Sequence, residues 1–256
     1  MTMTAAALSL LEGLPAAEAF LVLMRTGTAF FLLPALGARA VSPRIRLVLA
    51  LAVTLLVAPL AAELGDAPPP GAAYLAACAR EAVAGLAIGF LCRALFWAIE
   101  IAGAMASQAI SLAQILGNQV EQPQPAIGQF LYYAAIALAM ALDYHAQVVV
   151  AMVDSYQVMP LGIGISPAAA LRLGSETFVR LFEIAFGLSG PFLVVAVLYN
   201  LCLGVVNKAM PQLMVAFVGA PAISWLGLAL LMVAAPVMLS VWLEMLTGTP
   251  LIEGLR

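Results

Sequence analysis

Residues 201–221 read "LCLGVVNKAMPQLMVAFVGAP", two strongly apolar runs separated by Asn207, Lys208 and Pro211, with Gln212 behind them. An ammonium is costly in hydrocarbon, and proline fits a helix best at its first turn. The stretch therefore reads as a turn at a membrane surface, with Lys208 on the cytoplasmic side and Pro211 opening the next helix.

The rest of the chain supports helices in a membrane. Of its 256 residues, 65% are hydrophobic and 9% charged, whereas about a quarter of a soluble domain is charged. The mean hydropathy is +1.10. Apolar runs recur along the sequence without the alternation of barrel strands, so an all-α, polytopic helical membrane protein is expected. No Lys or Arg precedes Arg25, so the apolarity is expected to belong to the mature protein rather than to a signal peptide. The net charge of −3 is spread along the chain and excludes a basic nucleic-acid footprint. Cys78, Cys92 and Cys202 all lie in apolar runs and read as small buried hydrophobes.

The first two runs, 14–36 and 47–62, flank "GARAVSPRIR", where Arg39, Arg44 and Arg46 form the densest basic cluster. The positive-inside rule puts that loop in the cytoplasm and the acidic loop "AELGDAPPPGA" on the opposite face. Residues 73–116 are too long for one span of about 20 residues. The part from 73 to about 99 can cross, but "IAGAMASQAISLAQILG" (101–117) contains Ser107, Gln108, Ser111 and Gln114. Placing Lys208 in the cytoplasm favours a turn back within 101–125, a re-entrant or plug-like segment enclosed by protein or water. The alternative is an ordinary short helix followed by a loop. Further runs cover 127–153, interrupted by Asp143 and His145, then 178–206 and 212–246. Pro221 and Pro236 are expected to kink or divide the last. The expected architecture is a single helical membrane domain over 1–256, made of packed, kinked hairpins, with no separate soluble domain.

Charged residues in or beside the runs include Arg25, Arg80, Glu81, Arg93, Glu100, Arg180, Glu183 and Glu244, with Asp143 in the middle run. Each costs at least about 2.5–3.5 kcal/mol at the centre of a lipid-facing helix, so they should face protein, water or headgroups. Arg25, Arg93, Glu100, Asp143 and Glu244 are the candidate buried charges. Arg180 and Glu183 are spaced to pair on one face, as are Arg93 and Glu100. Gly85 and Gly89 form a GxxxG, continued by Ala98, Ala102 and Ala106, a row that lets helices approach closely.

Enzyme chemistry finds little footing. His145 is the single histidine and Asp143 points away from it on a helix, while Ser155 and Ser189 lack a nucleophile's setting. Neither a metal cluster nor a phosphate loop is present in the sequence, so no cofactor is expected. A secondary transporter built on Asp143, Glu100 or Lys208 is physically reasonable, but two matching halves are missing.

The segment "PFLVVAVLYNLCLGVVNKAMPQLMVAFVGAP" (191–221) resembles the signature of the FliR family of flagellar export-apparatus proteins. Asn200, Gly204, Asn207, Pro211, Gln212, Gly219 and Pro221 match its pattern, and Lys208 stands where an arginine is usual. "LVLMRTGTAFFLLPALG", "GFLCRALFWAIEIAGAMASQ" and the stretch from Gly128 through His145, Ser155 and Pro160 to Gly162 are similar to further parts of the family, so that the resemblance covers about 20–240.

The resemblance implies a non-enzymatic structural and gating subunit of the flagellar type III export gate. It would sit in the bacterial inner membrane at the basal body, beside FliP-, FliQ- and FlhB-like subunits and near an FlhA-like one. Unfolded proteins would be the substrates. A virulence-type injectisome homologue is the alternative. The family's plug maps onto about 107–122, where the aromatic residues usual to it are replaced and Ile110, Leu112, Ile115 and Leu116 are left to seal by apolar packing. Asn200 to Pro221, including Lys208, is implied to be a turn docked against partner subunits.

Overall fold

The structure is a computed structural model that describes residues 16–34, 41–64, 69–111, 126–210 and 215–248; the side chains of Ser111 and of residues 215–221 lie outside the description. Seven helices make up the described residues: α1 (Ala16–Leu32), α2 (Pro43–Glu63), α3 (Ala72–Ser111), α4 (Ala126–Ala141), α5 (Tyr144–Val158), α6 (Pro167–Ala209) and α7 (Val215–Gly248). Four of them, α2, α3, α6 and α7, are long and apolar enough to cross a membrane, and α4 with α5 supplies a fifth candidate as a broken span. Among the described residues no strand occurs.

Local sequence explains most of the boundaries. Ser42 caps α2 by accepting from the Ile45 N–H at 3.4 Å, with Pro43 at the first helical position, where its missing N–H costs nothing. Ser166 accepts from the Ala169 N–H at 3.2 Å, and Pro167 opens α6. Asn207 and Lys208 occupy the last turn of α6, which ends at Ala209, so Lys208 stands near the negative end of the helix dipole.

Three stretches that the sequence leaves open take definite form among the described residues. First, α3 runs unbroken for 40 residues through Ser111, so the chain does not turn back between 101 and 111; the rest of the expected re-entrant segment, 112–125, lies outside the described residues. Ser107 satisfies its hydroxyl on the Gly103 carbonyl at 2.9 Å, and the polar residues there need no break in the helix. Second, the run 127–153, interrupted in sequence at Asp143 and His145, bends by 71° at a break between α4 and α5, where Asp143 takes φ 55. Aspartate reaches that left-handed region at modest cost. Third, of the two outcomes expected at Pro221 and Pro236, division does not occur, since α7 is one helix from Val215 to Gly248.

The chain divides into two compact units, each assembled from non-contiguous segments. The first comprises residues up to Ala94 together with Ala139–Phe178, and α1 and α2 pack within it. Its core joins Leu21 and Val22 of α1, Val57, Ala58 and Ala61 of α2, Ala77 of α3, and Tyr156 and Leu161. The Thr26 and Thr54 hydroxyls add a hydrogen bond of 2.6 Å between α1 and α2.

The second unit comprises Leu95–Leu138 and Val179–Gly248. There α3 and α4 touch at Gly103 and Gly128: a Cβ on Gly103 would collide with the Gly128 backbone, and one on Gly128 would lie 3.0 Å from the Glu100 carbonyl oxygen. Trp242 of α7 is fully buried, edge-on to Phe96 at 5.0 Å, and donates to the Leu95 carbonyl at 2.8 Å. Ala98, Ala102 and Ala106 are all buried, as the small-residue row requires.

Candidate functional site

The first unit holds a charge cluster that is wholly enclosed. Arg25 lies one turn beyond Leu21 on the face of α1 that also buries Val22, Thr26 and Ala29. Glu81 lies on the face of α3 that carries Ala77, Ala84, Gly85 and Ile88, all buried. Small residues let these two helices meet. A Cβ at Gly85 would collide with the Arg25 carbonyl and the Thr28 hydroxyl, and one at Gly89 would stand 2.7 Å from the Ala29 carbonyl oxygen. Thr28 uses the close approach to donate to the Ala82 carbonyl at 3.0 Å.

The Arg25 guanidinium grips the Glu81 carboxylate with two bonds, Nε to Oε2 at 2.6 Å and Nη2 to Oε1 at 3.0 Å. Both side chains are 0% exposed. Nη1 donates to the Ser155 hydroxyl at 3.0 Å and Nη2 to the Met159 carbonyl at 2.8 Å. The Tyr156 ring lies 3.8 Å from the guanidinium carbon. The Gly162 N–H, in a left-handed turn at φ 79, donates to Glu81 Oε1 at 2.7 Å.

Burying two ions is favourable only when their remaining donors and acceptors are also met. Here α1, α3, α5 and the loop after α5 all contribute. Among the described residues only the Tyr156 hydroxyl is buried without a hydrogen bond. The bonds tie three helices and the 159–162 turn together in one register.

Arg25 and Glu81 are thus brought together, a burial that the sequence leads one to expect of Arg25 and not of Glu81. Its signal was legible, since Glu81 stands one helical turn before Gly85 in the same row as the GxxxG. Neighbouring Arg80 is exposed. Arg93 is half-buried and donates to the Leu32 carbonyl at the end of α1 at 3.3 Å. Glu100 is half-buried, and its side chain has no hydrogen-bond or ion-pair partner among the described residues. Asp143 and Glu244 are exposed in the chain, Asp143 at the bend and Glu244 near the end of α7. Burial is therefore not how this chain accommodates those two carboxylates. The expected pairing of Arg180 with Glu183 is also absent: both are exposed and have no ion-pair partner among the described residues. Of the cysteines, Cys92 is buried, Cys78 half-buried and Cys202 exposed.

The signature and plug residues are described in part. Asn200, Gly204, Asn207 and Lys208 are exposed along the last turns of α6. Gly219 and Pro221 are helical in α7, while Pro211 and Gln212 lie outside the described residues. Ile110 is half-buried at the end of α3, its side chain against Gly227, where a Cβ would lie 2.9 Å from Ile110 Cγ1. Leu112, Ile115 and Leu116 lie outside the described residues. In the second unit Asn200 shares with Gln108 a groove of about 370 Å³ floored by Ala104, Ala109 and Ala196. A larger apolar groove of about 860 Å³ runs between Phe130 of α4 and Trp225, Met232 and Leu239 of α7. Among the described residues no group of three His, Cys, Asp or Glu is placed to hold a metal.

Known proteins resemble the chain over most of its length. It is 31% identical over 229 residues to the flagellar biosynthetic protein FliR of Caulobacter vibrioides, covering 88% of this chain and 91% of that protein. It is 25% identical over 209 residues to the FliR of Escherichia coli, covering 79% and 78%. The secretion system apparatus protein SsaT of Salmonella typhimurium is 24% identical over 160 residues, covering 61% of each. Residues 16–249 match the family described as bacterial export proteins, family 1. That match takes in all seven helices, the Arg25–Glu81 cluster and the Asn200–Pro221 signature, and the chain belongs to this family of bacterial export proteins.

Proposed function

We propose that the chain is a structural and gating subunit of a flagellar type III export apparatus in the bacterial inner membrane. The observation that carries this reading is the family match along residues 16–249, with flagellar relatives aligned over most of the chain. The flagellar system is favoured over a virulence-type one because the Caulobacter relative aligns over 88% of the chain and the Salmonella secretion protein over 61%. In this reading FliP- and FliQ-like subunits complete the channel, FlhB- and FlhA-like subunits adjoin it, and unfolded proteins pass through. The role is mechanical, without catalysis or a bound cofactor. The exposed end of α6, with Asn200, Gly204, Asn207 and Lys208, docks on a neighbouring subunit together with Pro211, Gln212, Gly219 and Pro221. Ile110, Leu112, Ile115 and Leu116 form the apolar plug.

The decisive experiment is co-expression of the tagged chain with the membrane subunits of its own export apparatus. Recovery of a complex containing FliP- and FliQ-like subunits is expected; a chain that remains monodisperse and alone overturns the reading. In the assembled complex, deleting Ile110 to Leu116 should make the gate leak ions, and a tight complex would refute the plug. Lys208→Glu should weaken assembly and secretion.

A further inference from the structure

In the second unit, α3 carries a carboxylate that no described residue answers. Glu100 stands within "FWAIEIAGAMASQ" (96–108), where Ala98, Ile99 and Ala102 around it are fully buried. Glu100 is itself half-buried, without a hydrogen-bond or ion-pair partner among the described residues. The unit has only two basic residues, Arg180 and Lys208, both exposed and also without an ion pair among the described residues.

Helical periodicity puts Ala104 and Gln108 in line with Glu100 over about 12 Å of α3. Ala104 is half-buried and Gln108 exposed, so the stripe stays open, whereas the adjoining face is closed where Gly103 meets Gly128 of α4. The stripe leads into the groove of about 370 Å³ between α3 and α6, in which Gln108 and Asn200 stand over a floor that includes Ala104, Ala109 and Ala196. Neither carboxamide has a hydrogen-bond partner among the described residues. The site therefore combines an apolar floor, two unused carboxamides and, about two turns away on α3, one uncompensated carboxylate.

A carboxylate that has lost part of its water and gained no counter-ion is unfavourable, and a cation placed against it offsets that cost. The groove narrows the source of the cation. An acyl chain would cover the floor and leave both carboxamides unanswered. A helix meets all three features at once: small or apolar side chains fill the groove, polar ones reach Gln108 and Asn200, and a base about two turns further along pairs with Glu100.

We propose that Glu100 and this groove receive a helix of another subunit of the export apparatus, one that carries Lys or Arg opposite Glu100. The proposal rests on the assembly reading given above and adds the partner's chemistry and the residue that meets it. The test uses the full tagged chain, co-expressed with the membrane subunits of its own apparatus, with a photo-crosslinking amino acid at Val197, which lines the groove and is 63% exposed. The crosslink should land on a helix of another subunit that bears a Lys or Arg on the face meeting α3. Glu100→Gln keeps the side chain's shape and breaks no bond among the described residues, so it should melt with the parent in detergent. Its crosslink yield in the co-expressed complex should nonetheless fall at least about tenfold. Glu100→Lys should lower the yield further, and changing the partner's base to Glu should restore it. An undiminished crosslink in either variant, a lowered melting temperature of Glu100→Gln, or a crosslink that lands on lipid, on a second copy of the chain or on a passing substrate overturns the proposal while leaving the assembly reading in place. Failure of the unmodified chain to recover any subunit overturns both.

Discussion

Two Arg–Glu pairs in this chain have the same chemistry and opposite physical meaning. Arg25 and Glu81 meet at 2.6 Å with neither side chain exposed. Arg172 and Glu176 meet at 3.8 Å with more than two thirds of each side chain exposed. In water or headgroups the second pair is screened and worth little, about 0.3–0.5 kcal/mol. The first has exchanged its hydration for a bidentate grip, a hydroxyl, two backbone groups and an aromatic face, so each of its charges now depends on the other. The exposed pair instead keeps its hydration. Surroundings, rather than residue type, decide whether such a pair is locked in place or left to solvent.

The largest expected effect comes from breaking the enclosed pair on one side. Glu81→Ala or Arg25→Ala leaves an uncompensated ion and should destabilise the fold by about 3–5 kcal/mol, measured as loss of monodisperse chain on heating in detergent. Replacing both, Arg25→Met with Glu81→Leu, should recover most of that loss, because two apolar side chains need no compensation. A double variant as unstable as either single one would show that the pair is indispensable for reasons beyond charge balance.

Gly85→Ala should follow, at about 1–3 kcal/mol, since its methyl enters the space of the Arg25 carbonyl and the helices must part. Gly174→Ala, where a Cβ meets nothing within 4 Å, should instead stabilise by about 0.4–1 kcal/mol, a contrast read in the same melting series. Smallest of all, Arg172→Ala should change stability by less than about 0.5 kcal/mol. A larger loss there would erase the distinction between the two pairs.

Much of this was legible in the residues. The helix-breaking stretch at 207–211 lies where α6 ends, because a charge and a proline act locally. The GxxxG at Gly85 and Gly89 and the row Ala98, Ala102 and Ala106 mark packed faces, because helical periodicity carries a side chain's direction. Within 101–111 the helix continues despite its serines and glutamine, because a serine can satisfy its hydroxyl on its own helix, as Ser107 does on Gly103. The bend at Asp143 was visible only as an interruption, since an αL residue is permitted by aspartate without being demanded by it. Asp143 and Glu244 were expected to be buried because apolar runs surround them, yet position along a run does not say which way a side chain faces.

The sequence by itself determined that this is an all-helical membrane protein, for composition and period are summed along the chain and need no partner to take effect, while its likeness to the export family rests on signature residues such as Asn207, Pro211 and Gln212. It also nominated Arg25, as an ion that apolar neighbours cannot leave unattended. Only the tertiary structure decided that its counterion is Glu81, 56 residues away, and that Ser155, Met159 and Gly162 complete the cage. Enclosure by groups distant in sequence depends on how helices approach one another, and at Gly85 that approach is close because a hydrogen stands where any other residue would place a carbon.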